Sequence, residues 1–284
     1  MRLTRRNEFL LKLASGATLA FIYLPLLVIL IYAFNSTNTQ VWPPDGLTTK
    51  WFGEAFDNSG ARDAFLLSIE AAALATAVAI VLGTLASMAV ARYRFFGRET
   101  ISFLVILPIA LPGIVTGVAL NTSFTQILGM ELSLFTIIVG HATFCIVVVY
   151  NNVVARLRRV SGSFEEASAD LGATPWTTFR RVTLPSMRTA LVAGALLAFG
   201  LSFDEIIVTT FTAGAGEQTL PIWILTNFSR PAQLPIVNVV AVLVVLISIV
   251  PVYLANRLSR DVGGAAPTRG GAAGAVAAEG TAIP

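Results

Sequence analysis

The chain has 284 residues, of which 55% are hydrophobic and only 12% charged, at a mean hydropathy of +0.77. That balance lies outside the soluble range and indicates an integral membrane protein. One cysteine (Cys145) excludes an internal disulfide, and one histidine (His141) excludes clustered Cys/His zinc sites and the paired-histidine metalloprotease motif. The net charge of +3 says less than the positions of the basic residues.

Six apolar spans are predicted at about 13–34, 66–91, 101–121, 133–154, 188–212 and 234–256, each near the ~20 residues that cross a bilayer as helix. The first follows Arg2, Arg5, Arg6 and Lys12, as a signal peptide would. Its apolar run is long and lacks a small-residue cleavage site before Asn35, which predicts an uncleaved first helix. Sixteen of the 19 basic residues fall in the N-terminal segment, the 92–98 turn, the 156–188 interval and the C-terminal tail. Lys50, Arg62 and Arg230 alone fall on the other side. The positive-inside rule therefore predicts an all-α membrane protein of six transmembrane helices, with both termini cytoplasmic.

Between the first two spans, Val41-Trp42-Pro43-Pro44 and the run Lys50 to Phe56 predict a short helix at the membrane surface, where Trp and Phe favour the interface. Span 2 spaces Ala79, Gly83 and Ser87 four residues apart, a stripe that lets another helix approach closely. Span 3 holds Pro108, Pro112, Gly113 and Gly117; so broken a helix belongs inside a bundle or beside a pathway, where freed backbone groups find partners. Leu220 to Leu225 form a further apolar turn that either lies on or dips into the membrane. The membrane domain is predicted over 1–260, followed by a Gly/Ala-rich, disordered cytoplasmic tail at 261–284.

The cytoplasmic loop 156–187 is ordered like a folded element. Ser163 and Glu166 have capping-box spacing, Gly172 supplies a helix stop, and Thr174-Pro175 read as the cap and first residue of a second helix. Phe164, Ala167 and Leu171 share an apolar face, and Glu165, Glu166 and Asp170 offer acids at its rim. A helix lying on lipid headgroups is the plain alternative, but its acids would meet an anionic leaflet.

Glu166-Ala167-Ser168, three residues, Gly172, nine residues, then Val182-Thr183-Leu184-Pro185 resembles the EAA loop of ATP-binding-cassette importer permeases. The usual pattern is Glu-Ala-Ala, three residues, Gly, nine residues, Ile-x-Leu-Pro; this chain departs mildly at Ser168 and Val182. The resemblance implies a type I importer permease fold in the bacterial inner membrane. It also implies a coupling helix that docks on an ATPase through Phe164, Glu165, Glu166, Ala167, Ser168, Gly172, Leu184 and Pro185. The implied partners are a second permease, homologous or identical, an ATPase dimer and an extracytoplasmic substrate-binding protein. The only lysines are Lys12 and Lys50 and there is no Gly-x-x-x-x-Gly-Lys phosphate loop, so this chain is expected to be no enzyme, with ATP and Mg on the partner. No cofactor, metal or nucleic acid is expected on it.

Ionisable residues inside spans usually face a cavity or a partner. Glu70, His141, Asp204 and Glu205 all lie about six to nine residues from the outer ends of their spans, roughly 9–13 Å deep at ~1.5 Å per residue. Facing inward, they would form a cation-favouring belt. Glu205 shares a helical face with Ala198, Ser202, Thr209 and Thr212, a polar stripe suited to a pathway. Asp204 shares one with Leu197, Gly200, Val208 and Phe211, which suits a structural pairing. Alternatively the acids pair with His141, a partner's Arg or free backbone groups and never meet substrate. The run from Ser202 through Phe211-Thr212-Ala213-Gly214 to Thr219-Leu220-Pro221, with Leu107 to Gly113, resembles permeases of spermidine/putrescine importers and implies a polyamine substrate. Related permeases carry amino-phosphonates or metal ions. A self-contained secondary transporter is a further reading, although it leaves the capped loop unexplained. An enzyme reading also exists: Gly200-Leu201-Ser202-Phe203 matches the Gly-x-Ser-x of intramembrane serine proteases, with His141 at similar depth, but that family places Ser before His.

Overall fold

The computed structural model describes residues 5–263, with side chains through residue 249. Regular structure among them is helical, apart from an isolated antiparallel bridge between Asn35 and Leu47. The elements are α1 (Arg5–Ala33), α2 (Lys50–Asp57), α3 (Ser59–Arg92), α4 (Arg98–Ala110), α5 (Gly113–Thr122), α6 (Leu134–Leu157), α7 (Ser163–Asp170), α8 (Pro175–Thr178), α9 (Leu184–Phe203), α10 (Ile207–Thr212), α11 (Leu220–Phe228) and α12 (Leu234–Gly263). The sequence places a tail at 261–284; beyond Gly263 it lies outside the described residues.

Among the described residues, four helical stretches are long and apolar enough to cross a membrane: α1, α3, α6 and the run Pro175–Phe203. The expected third span is no straight rod. It is the pair α4 and Gly113–Ile127, bent by 103° where Leu111 and Pro112 turn extended. Pro112 has no N–H to continue the ladder and keeps Leu111 out of the helical region. The expected fifth span is broken too: α9 stops at Phe203 and α10 restarts at Ile207.

The centre is α3, α6 and α9. Small residues bring α3 and α6 together, as the Ala79/Gly83/Ser87 stripe predicts. Ala79 and Ser87 are fully buried, and a Cβ on Gly83 would stand 3.0 Å from the Ile146 carbonyl and from Val149. The Ser87 hydroxyl lies within bonding distance of the Gly83 carbonyl (2.6 Å) on its own helix and the Tyr150 carbonyl (3.0 Å) on α6. Gly194 brings α9 against Val149 in the same way. Around this contact Cys145, Val149, Val153, Leu157, Met187 and Ala198 form one apolar cluster.

A second cluster closes the other end of the bundle, joining Ala33, Trp51, Ala55, Ala61, Leu220, Trp223 and the start of α12. The short helix expected over Lys50 to Phe56 is present as α2, the apolar segment Leu220 to Leu225 is helical in α11, and both turn side chains into this cluster. Trp51 is 5% exposed and donates from Nε1 to the Asn35 carbonyl at 2.7 Å. Leu220 and Trp223 are buried against α3 and α12. Both segments are amphipathic enough to cover protein, and a buried indole whose N–H is bonded has no need of the interface; Trp42 and Phe56 stay exposed.

The two ends of the bundle separate as the basic residues do. Arg92, Leu157 and the loop after it meet at one end. Asn58 and Gln233 (3.4 Å), and Ser68 and Leu220 (2.7 Å), meet at the other. Among the described residues α1 packs chiefly against α12 and exposes Phe21, Leu24 and Leu27.

Gly83→Leu tests the central contact. It forces α3 off α6 and should destabilise the fold by about 1–3 kcal/mol or more, read as a lowered Tm and reduced yield in detergent.

Candidate functional site

The loop between α6 and α9 folds as two short helices, as its caps predict, but the first cap differs. α7 begins at Ser163 itself after Gly162, with no side-chain cap on its first turn. Ser161 Oγ instead accepts from the Ser163 N–H at 3.2 Å, and Glu166 is exposed rather than folded back. The stop holds: Gly172 has φ of +79°, a left-handed conformation that costs an L side chain about 1–2 kcal/mol. Thr174 accepts from the Thr177 N–H at 3.3 Å with Pro175 behind it, as expected. Ser168 and Thr178 bond at 3.0 Å and tie α7 to α8.

Three apolar side chains project from this pair: Phe164 (64% exposed), Leu171 (89%) and Trp176 (67%). Ala167 and Glu166 are exposed beside them. Leu184 instead packs into the central cluster, and Pro185 stands exposed in the first turn of α9. Glu165 does not join the exposed rim. Its carboxylate turns inward, with Oε2 3.0 Å from Arg92 Nε and Oε1 accepting from the Thr183 hydroxyl at 2.9 Å. The apolar face of α7 points outward, so its other side, carrying Glu165, faces the bundle.

The second group lies at the break in the fifth span. His141, fully buried, reaches both sides of it: Nδ1 is 2.7 Å from Ser202 Oγ on α9, and Nε2 is 2.8 Å from Thr209 Oγ1 on α10. Thr209 donates its own proton to the Glu205 carbonyl at 2.9 Å. It therefore accepts from Nε2–H, which leaves Nδ1 to accept from Ser202. Glu205 Oε1 accepts from the Val208 N–H at 2.8 Å and caps α10. Nearby, Asn121 donates to the Phe211 carbonyl at 2.7 Å, and α5 closes on α10 so tightly that a Cβ on Gly117 would stand 2.5 Å from the Phe211 ring.

The belt of acids is not assembled in this chain. Glu70 is exposed, opposite the buried Ser68, Ala72, Ala75 and Ala79 on α3, since residues turn by about 100° each. The roles of the neighbouring acids are also exchanged. Asp204, expected to be paired, is exposed without an ion-pair partner among the described residues, while Glu205 is spent on the α10 cap. Ser202, Thr209 and Thr212 are buried against α6 and line no pathway. A single set of helical faces runs only to Phe203, and the break at Asp204 rotates the residues beyond it. The Ser202–His141 distance matches the protease reading, but the pair is 2% and 0% exposed. The second ring nitrogen is held by a threonine, and a nucleophile sealed from substrate and water does no hydrolysis.

Two residues escaped the sequence. Arg92 looked like an ordinary basic residue ending a span. Glu217 holds the Leu134 N–H (3.1 Å) at the start of α6 and the Gly214 N–H (3.0 Å). Both partnerships are long-range, 73 residues for Arg92–Glu165 and 83 for Glu217–Leu134, so no local spacing reveals them.

Ser202→Ala and Thr209→Val each strand one imidazole nitrogen and should cost about 1–3 kcal/mol. Thermal unfolding in detergent checks this, and His141→Ala, which strands the Ser202 hydroxyl and leaves a cavity between α6, α9 and α10, should cost more than either.

The family model for the binding-protein-dependent transport system inner membrane component matches residues 79–264. The putrescine transport system permease protein PotI of Escherichia coli (strain K12) is 34% identical over 252 residues, covering 85% of this chain and 89% of PotI. The spermidine/putrescine transport system permease protein PotC of the same strain is 31% identical over 246 residues, covering 86% and 92%. A bacterial ABC transporter involved in the import of the acidic polysaccharide alginate shares the fold, with a TM-score of 0.69 at 17% identity over 92% of this chain and 99% of that one. That transporter is also known in complex with an alginate pentasaccharide-bound periplasmic protein, where the TM-score is again 0.69, at 14% identity over 92% and 96% of the two chains. The chain therefore belongs to the binding-protein-dependent transport system inner membrane components, the permeases of ABC importers.

Proposed function

We propose that this chain is one of two permeases of an ATP-driven polyamine importer in a bacterial inner membrane, with six spans and both ends in the cytoplasm. The observation that carries the coupling role is the α7–α8 pair, a preformed knob with Phe164, Leu171 and Trp176 exposed at one tip. Exposed aromatic and aliphatic side chains on a capped, rigid element suit a hydrophobic groove. Docking through Phe164, Glu166, Ala167, Leu171 and Trp176, shaped by Gly172, places an ATPase there. ATP and Mg belong to that partner, consistent with the missing phosphate loop.

The six-span topology takes α1, α3, the bent α4–α5 pair, α6, the α9–α10 run and α12 as one crossing each. The basic 92–98 turn and the 156–183 loop meet through Arg92, which supports a common cytoplasmic side. The opposite end, with α2 and α11, would receive the binding protein, as the alginate transporter receives its periplasmic protein.

The polyamine reading rests on the likeness to PotI and PotC. It is supported by Asp204, an exposed carboxylate at the C-terminal end of α9, where the helix dipole also favours a cation. Asp204 rather than Glu205 is then the acid that meets an ammonium group. Glu70, on the free face of α3, offers a second carboxylate to solute or to the other permease. His141, Ser202 and Thr209 hold the break in shape around Asp204.

The complex purified with its native subunits should contain a second permease and an ATPase, and its ATP hydrolysis should rise with binding protein loaded with putrescine or spermidine. A chain that purifies alone and transports without ATP defeats this reading. Glu166→Ala and Gly172→Val should each reduce ATPase co-purification. Asp204→Asn should assemble normally and lose about 1.4 kcal/mol of solute interaction, roughly tenfold in uptake efficiency; unchanged uptake would remove Asp204 from the pathway.

A further inference from the structure

The Arg92–Glu165 pair serves neither the docking surface nor the break in the fifth span, yet it joins more segments than any other polar contact in the loop. Arg92 closes α3. Its Nε pairs with Glu165 of α7, and its Nη1 donates to the carbonyls of Leu157, the last residue of α6, and of Val160, each at 3.3 Å. Glu165 in turn accepts from Thr183, immediately before α9. One ion pair thus bridges the ends of α3, α6 and α9 through α7. Its side chains are 17% and 23% exposed, so screening by salt is weak. Arg92 Nη2 is buried without a partner; losing the carboxylate would leave a poorly compensated guanidinium.

The backbone joins α7 to its neighbours through non-helical turns, 158–162 before it and 171–174 after it. α8 reaches α9 through a π-helical turn, Phe179–Thr183, and such turns are rare and tend to occur at functional joints. α8 and α9 belong to one continuous helical run, Pro175–Phe203, so movement of α7 reaches that run across the Gly172 turn through side chains. Thr183 ends the π-helical turn and is held by Glu165.

We propose that Arg92, Glu165 and Thr183 form a strut that carries movement of α7 to α3 and α9 together, and that Arg92 and Glu165 are positioning residues for the coupling of ATP hydrolysis to transport. They touch neither the ATPase nor the solute. The inference rests on the importer reading above.

The test uses the whole complex in proteoliposomes, measuring solute moved per ATP hydrolysed. Arg92→Glu and Glu165→Arg alone should retain ATPase co-purification and hydrolysis while the ratio falls about fivefold or more. The double reversal should recover most of it. A wild-type ratio in both single variants overturns the strut. So does loss of the ATPase from them comparable with Glu166→Ala, which would return Glu165 to the docking surface, and so does a double reversal that stays as low as the singles. If the reversed chains fail to insert, Glu165→Gln, which keeps shape and the Thr183 bond but not the charge, carries the same comparison. A wild-type chain that never co-purifies an ATPase overturns the importer reading itself and is distinguishable from all of these.

Discussion

Close backbone approach between α3 and α6 is the constraint on which the other elements depend. In a bilayer, lipid is as apolar as leucine, so helices associate through van der Waals fit and shared polar bonds rather than by hiding from water. Ala79, Gly83 and Ser87 provide the fit, and Ser87, placed between the Gly83 and Tyr150 carbonyls, adds a polar contact across it. With α9 brought onto the same surface through Gly194, the three helices make a rigid body whose two ends carry different chemistry.

Around that body, two spans are interrupted, and each interruption is answered by a specific partner. A freed amide or carbonyl in the hydrocarbon region costs several kcal/mol unless bonded. At the fifth span Glu205 takes the Val208 amide, and His141 fastens α9 to α10 from both ring nitrogens. Asn121 takes the Phe211 carbonyl, binding α5 to α10. Glu217 takes the first amide of α6. The residues that look most chemically active in the sequence are therefore largely occupied in holding irregular backbone. Asp204 and Glu70 are the acids near the expected level that remain exposed.

At the opposite end, one short helix divides its side chains between two tasks. The outer face of α7 and the α8 tip expose Phe164, Leu171 and Trp176, while the inner face sends Glu165 to Arg92. The short helix is thus presented on one face and anchored on the other. The break near Asp204 lies at the far end of α9 from this anchor, so a single rigid helix separates the two sites.

The sequence by itself determined the membrane class, the four long apolar helices, the sorting of basic residues, the small-residue stripe and the two-helix loop with its Gly172 stop. All of these are local: composition, a period of 3.6 residues, or spacing within two dozen positions. Even the breaks were partly legible, since Pro112 must interrupt a helix wherever it sits. What only the tertiary structure decided is which way the polar groups point. Glu165 and Glu166 are adjacent and chemically alike, yet one is anchored and the other free, because Arg92 arrives from 73 residues away. Asp204 and Glu205 exchanged their expected roles because helical faces were projected through a break whose angle depends on how α5, α6 and α10 pack. Trp51 and Trp223 are covered by protein because segments distant in sequence pack over them. Direction is a property of contacts between distant segments, and no local pattern encodes it.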